Sequence, residues 1–197
     1  MSTESIHFSQ TELANLRQQA YKWLDKRRVP HVRGCEEEAV KLAARWSGEQ
    51  DLAAAAAILH DCTKNKTEKQ HLSLMQKYGI DCDEALLAAP PLYHAVTGAA
   101  VAGEEFSMPE EICSAIRWHT TGRPDMTRLE KIIYLADYTE PTRDFEGVEE
   151  LRTLSFEDTD RAMALGLEMS IENLNERGKQ IFHDTMDAYN WYKNLTR

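Results

Sequence analysis

The sequence predicts an all-α fold, a single-domain helical bundle of about ten helices. Three observations lead there. Apolar residues recur at three- and four-residue spacings, and serine or threonine stands three residues before glutamate or glutamine at four helix starts. No stretch alternates apolar and polar residues as a half-buried strand would. Glycine (9) and proline (6) are sparse in 197 residues, and no Ser/Gly-rich or Pro-rich linker divides the chain.

The elements follow in order. Ser9 with Glu12 starts the first helix, whose apolar stripe is Leu13, Leu16, Ala20, Trp23 and Leu24. His31 opens the second, and Gly48 stops it. Leu52 to Leu59, with five alanines at 53–57, is uncharged and reads as a buried helix. Thr67 with Gln70 starts a segment that Gly79 closes. Pro90 ends the next element, and His94 lies near the start of the one after it. Ser107 with Glu110 marks another start, with Pro109 at the first helical position, and Gly122 the stop. Thr127 with Glu130 opens the helix bearing Leu129, Ile132, Ile133 and Ala136, which Pro141 ends. Phe156 to Arg177 reads as one long helix, and Thr185 to Asn194 as a short closing one.

Lysine and arginine number 23 against 33 acidic residues, a net charge of −10, so nothing would drive counterion release from a nucleic acid polymer. The one notable basic cluster, Lys26-Arg27-Arg28, reads as a solvated helix end. Four scattered cysteines (Cys35, Cys62, Cys82, Cys113) form no CxxC pair, which predicts reduced thiols and a cytoplasmic setting. No uncharged run approaches the roughly 18–20 residues of a membrane span.

The chemistry centres on Ile58-Leu59-His60-Asp61-Cys62-Thr63-Lys64. Asp61 shares a helical stripe with Ile58, Ala57 and Ala54, so its carboxylate points into the core. Such a charge needs a cation beside it or it is lost, and the neighbouring imidazole suggests a metal. Asp137 likewise follows Ile133 and Ala136 on an apolar face. His119 continues the stripe Ile112, Ala115, Ile116; His94 and His31 stand at helix starts, His31 three residues after Arg28. One histidine on an apolar face is usually a satisfied core residue, and the second His-Asp pair, His183-Asp184, reads as a helix cap. Six such residues on five helical segments are another matter. His31, His60, His94, His119, Asp61 and Asp137 are a ligand supply for two divalent metals with an aspartate between them.

That supply suits phosphoester or phosphoanhydride hydrolysis. Asp61 and Lys64 are the catalytic candidates; Lys64, Arg123 and Arg143 are candidates for gripping phosphate oxygens. Cys62 offers a nucleophile as an alternative, though a small apolar filler is the simpler role. Gly98 and Gly103 have P-loop spacing, but Glu104-Glu105 follow where lysine and a hydroxyl are needed.

The order His31, His60-Asp61, Asp137 resembles the HD superfamily of metal-dependent phosphohydrolases, and His94 with His119 resembles its two-metal branch. HDCTK at 60–64, HAVTGA at 94–99, HTTGRPDM at 119–126, LADYTEPTRDF at 135–145 and HDTMDAYN at 183–190 are similar to the HD-domain symmetrical bis(5′-nucleosyl)-tetraphosphatases. The likeness runs from about Arg28 to Asn190. It implies one HD domain over 1–197, with a motif core at about 28–145 and C-terminal helices at 148–197 packing on it. It also implies hydrolysis of diadenosine tetraphosphate to two ADP at a di-iron centre, ligated by His31, His60, Asp61, His94, His119 and Asp137. Lys64, Thr121 and Arg143 would then lie against the phosphates. The His/Asp donors themselves accept manganese or magnesium as well as iron. The expected partner is a dinucleoside polyphosphate or other nucleotide, with no membrane and no nucleic acid polymer, and the chain is expected as a homodimer. Cys35 departs from the aliphatic residue expected at its position. Two other readings stand beside this one: another HD-type hydrolase acting on a mononucleotide, cyclic dinucleotide or guanosine alarmone, and a nucleotide sensor without turnover.

Overall fold

Helix-forming stripes, capping boxes and glycine stops resolve into eleven α-helices and one 3-10 turn in a computed structural model that describes residues 7–46 and 48–196. They are α1 (Gln10–Ala20), α2 (Val29–Trp46), α3 (Gln50–Leu59), α4 (Glu68–Lys77), α5 (Glu84–Leu87), a 3-10 turn (Pro90–Leu92), α6 (Tyr93–Phe106), α7 (Glu110–Trp118), α8 (Arg128–Thr139), α9 (Val148–Glu157), α10 (Thr159–Glu176) and α11 (His183–Leu195). The described residues contain no strand. The ends of the expected 1–197 span, residues 1–6 and 197, lie outside them, as does residue 47.

α3 is the hub. Every residue from Leu52 to Leu59 is buried, and α1, α2, α7 and α8 all pack on it. The alanine run permits this, since side chains of one carbon let four helices come close without voids. α2 also packs on α8, and α6 on α7, so both pairs converge where α3 ends. α9 and α10 cover α8, and α11 rests on α10. No described helix is long and apolar enough to cross a membrane.

Capping boxes form at Ser9, Thr67 and Thr127, where the side chain and the third residue exchange hydrogen bonds. Four expectations need correction. Ser107 starts no capping box: it ends α6 in the left-handed region (φ 54°), and Pro109 stands at the N-cap of α7 rather than inside it. Phe156 to Arg177 is not one helix. Asp158, extended at φ −155°, ends α9 and caps α10 by accepting from the Asp160 and Arg161 amides. Trp23 and Leu24 lie past the end of α1. Asp184 is no cap either, because Phe182 holds that position of α11.

Candidate metal centre

α3 ends at Leu59 in the middle of the bundle, so the chain turns while still buried, and His60 and Asp61 emerge with no exposure to solvent. The compensation that a buried carboxylate demands comes from four helices. His31 is the third residue of α2, His94 the second of α6, His119 the C-cap of α7, and Asp137 lies in the last turn of α8.

One device orients three of the imidazoles. Nδ1 of His60, His94 and His119 lies 2.7, 2.8 and 2.7 Å from the carbonyls of Ala57, Pro91 and Ile116, each three residues back. A carbonyl only accepts, so Nδ1 carries the proton and Nε2 keeps a lone pair. His31 Nδ1 instead faces the Glu140 carboxylate at 3.1 Å. The Nε2 atoms then meet in two facing pairs, His31–His60 at 3.3 Å and His94–His119 at 3.2 Å.

Asp61 stands between the pairs. Its Oδ2 is 3.5 Å from His60 Nε2 and 3.8 Å from His31 Nε2; its Oδ1 is 3.5 Å from His94 Nε2 and 3.8 Å from His119 Nε2. Oδ1 is buried and accepts no hydrogen bond. Asp137 Oδ1 adds a carboxylate 3.1 Å from His31 Nε2. Facing lone pairs and an orphaned buried oxygen are costly unless a cation completes them, so the donor set fits two divalent ions sharing Asp61.

The electrostatics agree. Burial pushes the Asp61 carboxyl up, but His60, His119 and Lys64 outweigh it and hold its pKa well below the usual value. Asp137 behaves alike: burial is overcome by His31, His60 and Arg143. Burial, reinforced by Lys64 and His119, drives His94 well below the ordinary histidine value, so it stays neutral, the form that ligates.

Three cations surround the cluster, each resting on one of its donors. Arg28 Nε lies 2.5 Å from Asp61 Oδ2, Arg143 Nη2 2.6 Å from Asp137 Oδ1, and Lys64 Nζ 3.0 Å from His94 Nε2. Arg28 is therefore not the solvated helix end its basic neighbours suggest. Arg123 lies apart: its Nη2 is 2.9 Å from Glu130, a fully buried carboxylate that also accepts from the Thr127 amide at 2.7 Å. Thr121, buried, donates to the Gly122 carbonyl at 3.0 Å. Cys62 is completely buried with its thiol pushed up to about 12 by burial and by Asp61, which suits a filler and not a nucleophile.

A family model described as the HD domain matches residues 28–142, more than half the chain and every donor named above. This chain belongs to the HD-domain family. As an HD-domain protein it is a metal-dependent phosphohydrolase. Among its curated relatives, the symmetrical bis(5′-nucleosyl)-tetraphosphatase of Bacillus subtilis (strain 168) is 36% identical over 169 residues, covering 85% of this chain and 90% of the relative. The protein of the same name from Halalkalibacterium halodurans is 38% identical over 168 residues, covering 85% and 89%. A crystal structure from Clostridium acetobutylicum, described as that of a predicted HD superfamily hydrolase involved in NAD metabolism, superposes with a TM-score of 0.89 at 30% identity. It covers 96% of this chain and 100% of that one.

Three residues of the HD-domain site escaped the sequence reading. Arg28 is one helical turn before His31, a spacing that could have paired it with the cluster. Glu140 is fully buried and holds His31 Nδ1, but nothing in the sequence distinguishes it from a surface glutamate. Cys35 stands out only as a departure; its thiol is raised well above its usual pKa by burial, then by Asp137 and Asp61.

Proposed function

We propose that the chain hydrolyses a symmetrical dinucleoside tetraphosphate, with diadenosine tetraphosphate as the substrate to try first, to two nucleoside diphosphates. The observation that carries this reading is the two facing imidazole pairs set on the two oxygens of Asp61; the names of the relatives support the substrate class. In this reading His31, His60, Asp137 and Asp61 would hold one divalent ion, and His94, His119 and Asp61 the other. Iron is proposed, by the family resemblance. Bound there, two ions supply an acidified water nucleophile and a clamp on the phosphoryl oxygens.

The protein's own residues do the rest. Arg28, Arg143 and Lys64 present positive charge at the cluster's rim. With the site filled, each would be free to meet phosphate oxygens, and the arginines can grip two oxygens at once. Arg123, committed to Glu130, is left a structural role. Tyr138 lies stacked 5.8 Å from Tyr134 and edge-on 5.6 Å from Phe145. With Arg143, Phe145 and Met169 it lines an open cavity of about 880 Å³ beside Asp137. We place one nucleoside there, its base against the aromatic wall and its ribose toward Glu146 and Glu172. The remaining half leaves as a nucleoside diphosphate, an anion that needs little protonation. One HD domain spans the chain in this reading, an arrangement supported by α9 and α10 packing on α8.

A substrate panel tests the proposal: dinucleoside tri- and tetraphosphates, mononucleotides, cyclic dinucleotides, guanosine alarmones and a nicotinamide dinucleotide, with products separated chromatographically in ¹⁸O-water. ADP as the sole early product from diadenosine tetraphosphate, with label in one of every two ADP molecules, is the expected result. Equal early ATP and AMP would defeat the symmetric cut. Faster turnover of another class would move the substrate assignment to that class.

A further inference from the structure

The two halves of the cluster are not equally furnished. Around His94 and His119 the described residues offer Asp61 Oδ1 as a third donor, with His60 shared from the other pair. Around His31 and His60 they offer Asp61 Oδ2, Asp137 and a fifth group, the thiol of Cys35. Cys35 follows His31 by four residues on α2, so both side chains occupy one face of the helix. Its Sγ lies 3.4 Å from His31 Nε2, the lone-pair nitrogen, and 4.0 Å from Nδ1. Asp137 Oδ1 is 3.9 Å from the sulfur and 3.1 Å from that same Nε2, so the three atoms face one point. One donor atom each from His31, Cys35, His60 and Asp137 falls within 4.8 Å of all the others, which is the compass of a single coordination sphere.

We propose that Cys35 is a thiolate ligand to the ion held by His31, His60 and Asp137. The inference rests on the metal-centre reading above and deepens it. A small buried hydrophobe would fill the same space, but it would not need its sulfur turned to the one nitrogen of His31 that carries a lone pair. Ligation is chemically consistent, because a thiol coordinating a divalent ion gives up its proton to solvent as the ion arrives.

The consequence is a division of labour. The His31 side, with four protein donors within one compass and Asp61 Oδ2 beside them, holds its ion firmly; the His94 side, with fewer, keeps positions free for water and phosphate, as catalytic sites do. Lys64 rests on His94, on the open side. A soft donor on the His31 side also shifts preference there toward zinc, cobalt or iron and away from magnesium.

Cobalt(II) substitution of the full-length protein tests this directly, because thiolate ligation gives a sulfur-to-cobalt charge-transfer band in the near ultraviolet. Titration of the metal-free chain should raise the band with the first equivalent of cobalt and leave it unchanged by the second. Cys35→Val, close in volume, should lose the band while the visible cobalt transitions remain; Cys62→Ala should keep it. X-ray absorption on the wild-type cobalt protein, which needs no variant to fold, should find one sulfur among the metal's nearest neighbours. Cobalt uptake with no band and no sulfur scatterer would overturn the role of Cys35 alone, as would a band that survives in Cys35→Val. Failure to take up cobalt at all would overturn this proposal and the metal-centre reading together.

Discussion

Glu140→Gln isolates what a carboxylate behind one ligand contributes to the whole site. Glu140 is fully buried and accepts from His31 Nδ1 at 3.1 Å, from the Thr142 amide at 2.7 Å and from the Thr142 hydroxyl at 2.5 Å. Its negative charge makes the His31 imidazole a stronger base at Nε2, the atom turned to the cluster. Glutamine keeps the shape but removes the charge, and its NH₂ must face a donor at either end, since every partner of Glu140 donates. Loss of such an orienting partner typically costs 10–100-fold in metal affinity, about 1.4–2.8 kcal/mol. The loss should be confined to one ion, because the His94–His119 pair is oriented by main-chain carbonyls that no side-chain change removes. Competition against a chromophoric chelator resolves two dissociation steps. One step should weaken by that factor and the other should hold. Equal weakening of both, or of neither, would refute the reasoning.

Three more outcomes follow from named contacts. Lys64→Met should lower kcat by roughly 10²-fold, the order for loss of one preorganised electrostatic donor, with metal content unchanged by elemental analysis; wild-type turnover would return Lys64 to the surface. Gly34→Ala places a methyl against the Glu140 carboxylate, so it should cost about 1–3 kcal/mol in denaturant unfolding and weaken the same ion as Glu140→Gln; an unperturbed midpoint would contradict the packing. His71, buried with its Nδ1 2.8 Å from Thr97 Oγ1, has its pKa lowered by burial, then by Lys66 and Lys64. A depressed histidine is protonated in the unfolded chain first, so its stabilisation is full above about pH 6.5 and lost as pH falls toward its lower folded value. His71→Gln should therefore flatten Tm between pH 7 and 5, and an unaltered slope would show that other groups carry it.

The helical architecture was legible because its signals are local: capping boxes at Ser9, Thr67 and Thr127, glycine stops and an uncharged alanine helix each act within one turn of chain. Where two local signals competed the sequence reading failed. Ser107 and Glu110 have capping-box spacing, yet Ser107 is needed to terminate α6. Asp158 breaks an apolar pattern that runs on across it, because its side chain satisfies two amides of the new helix. The six His and Asp residues were legible as a set because buried charge without compensation is costly. Their division into two pairs was not, since it depends on which helices meet at the end of α3. Arg28, Cys35 and Glu140 act across 33, 102 and 109 residues of sequence, on Asp61, Asp137 and His31. The one-turn spacing of Arg28 and Cys35 from His31 is local, but no local pattern encodes contacts of that span.

Metal stoichiometry in two variants tests the central claim, that Asp61 joins two ions through its two oxygens. His94→Ala removes one donor from the open side only, so the purified, metal-loaded variant should retain about one ion per chain, on the strength of the donors left around His31 and His60. Asp61→Ala withdraws an oxygen from both sides at once and should weaken both ions, so that it keeps fewer than two through dialysis that the wild type survives with two. Elemental analysis of the three proteins, with circular dichroism to establish that each is folded, decides it. Two firmly held ions per chain in Asp61→Ala would contradict the bridge.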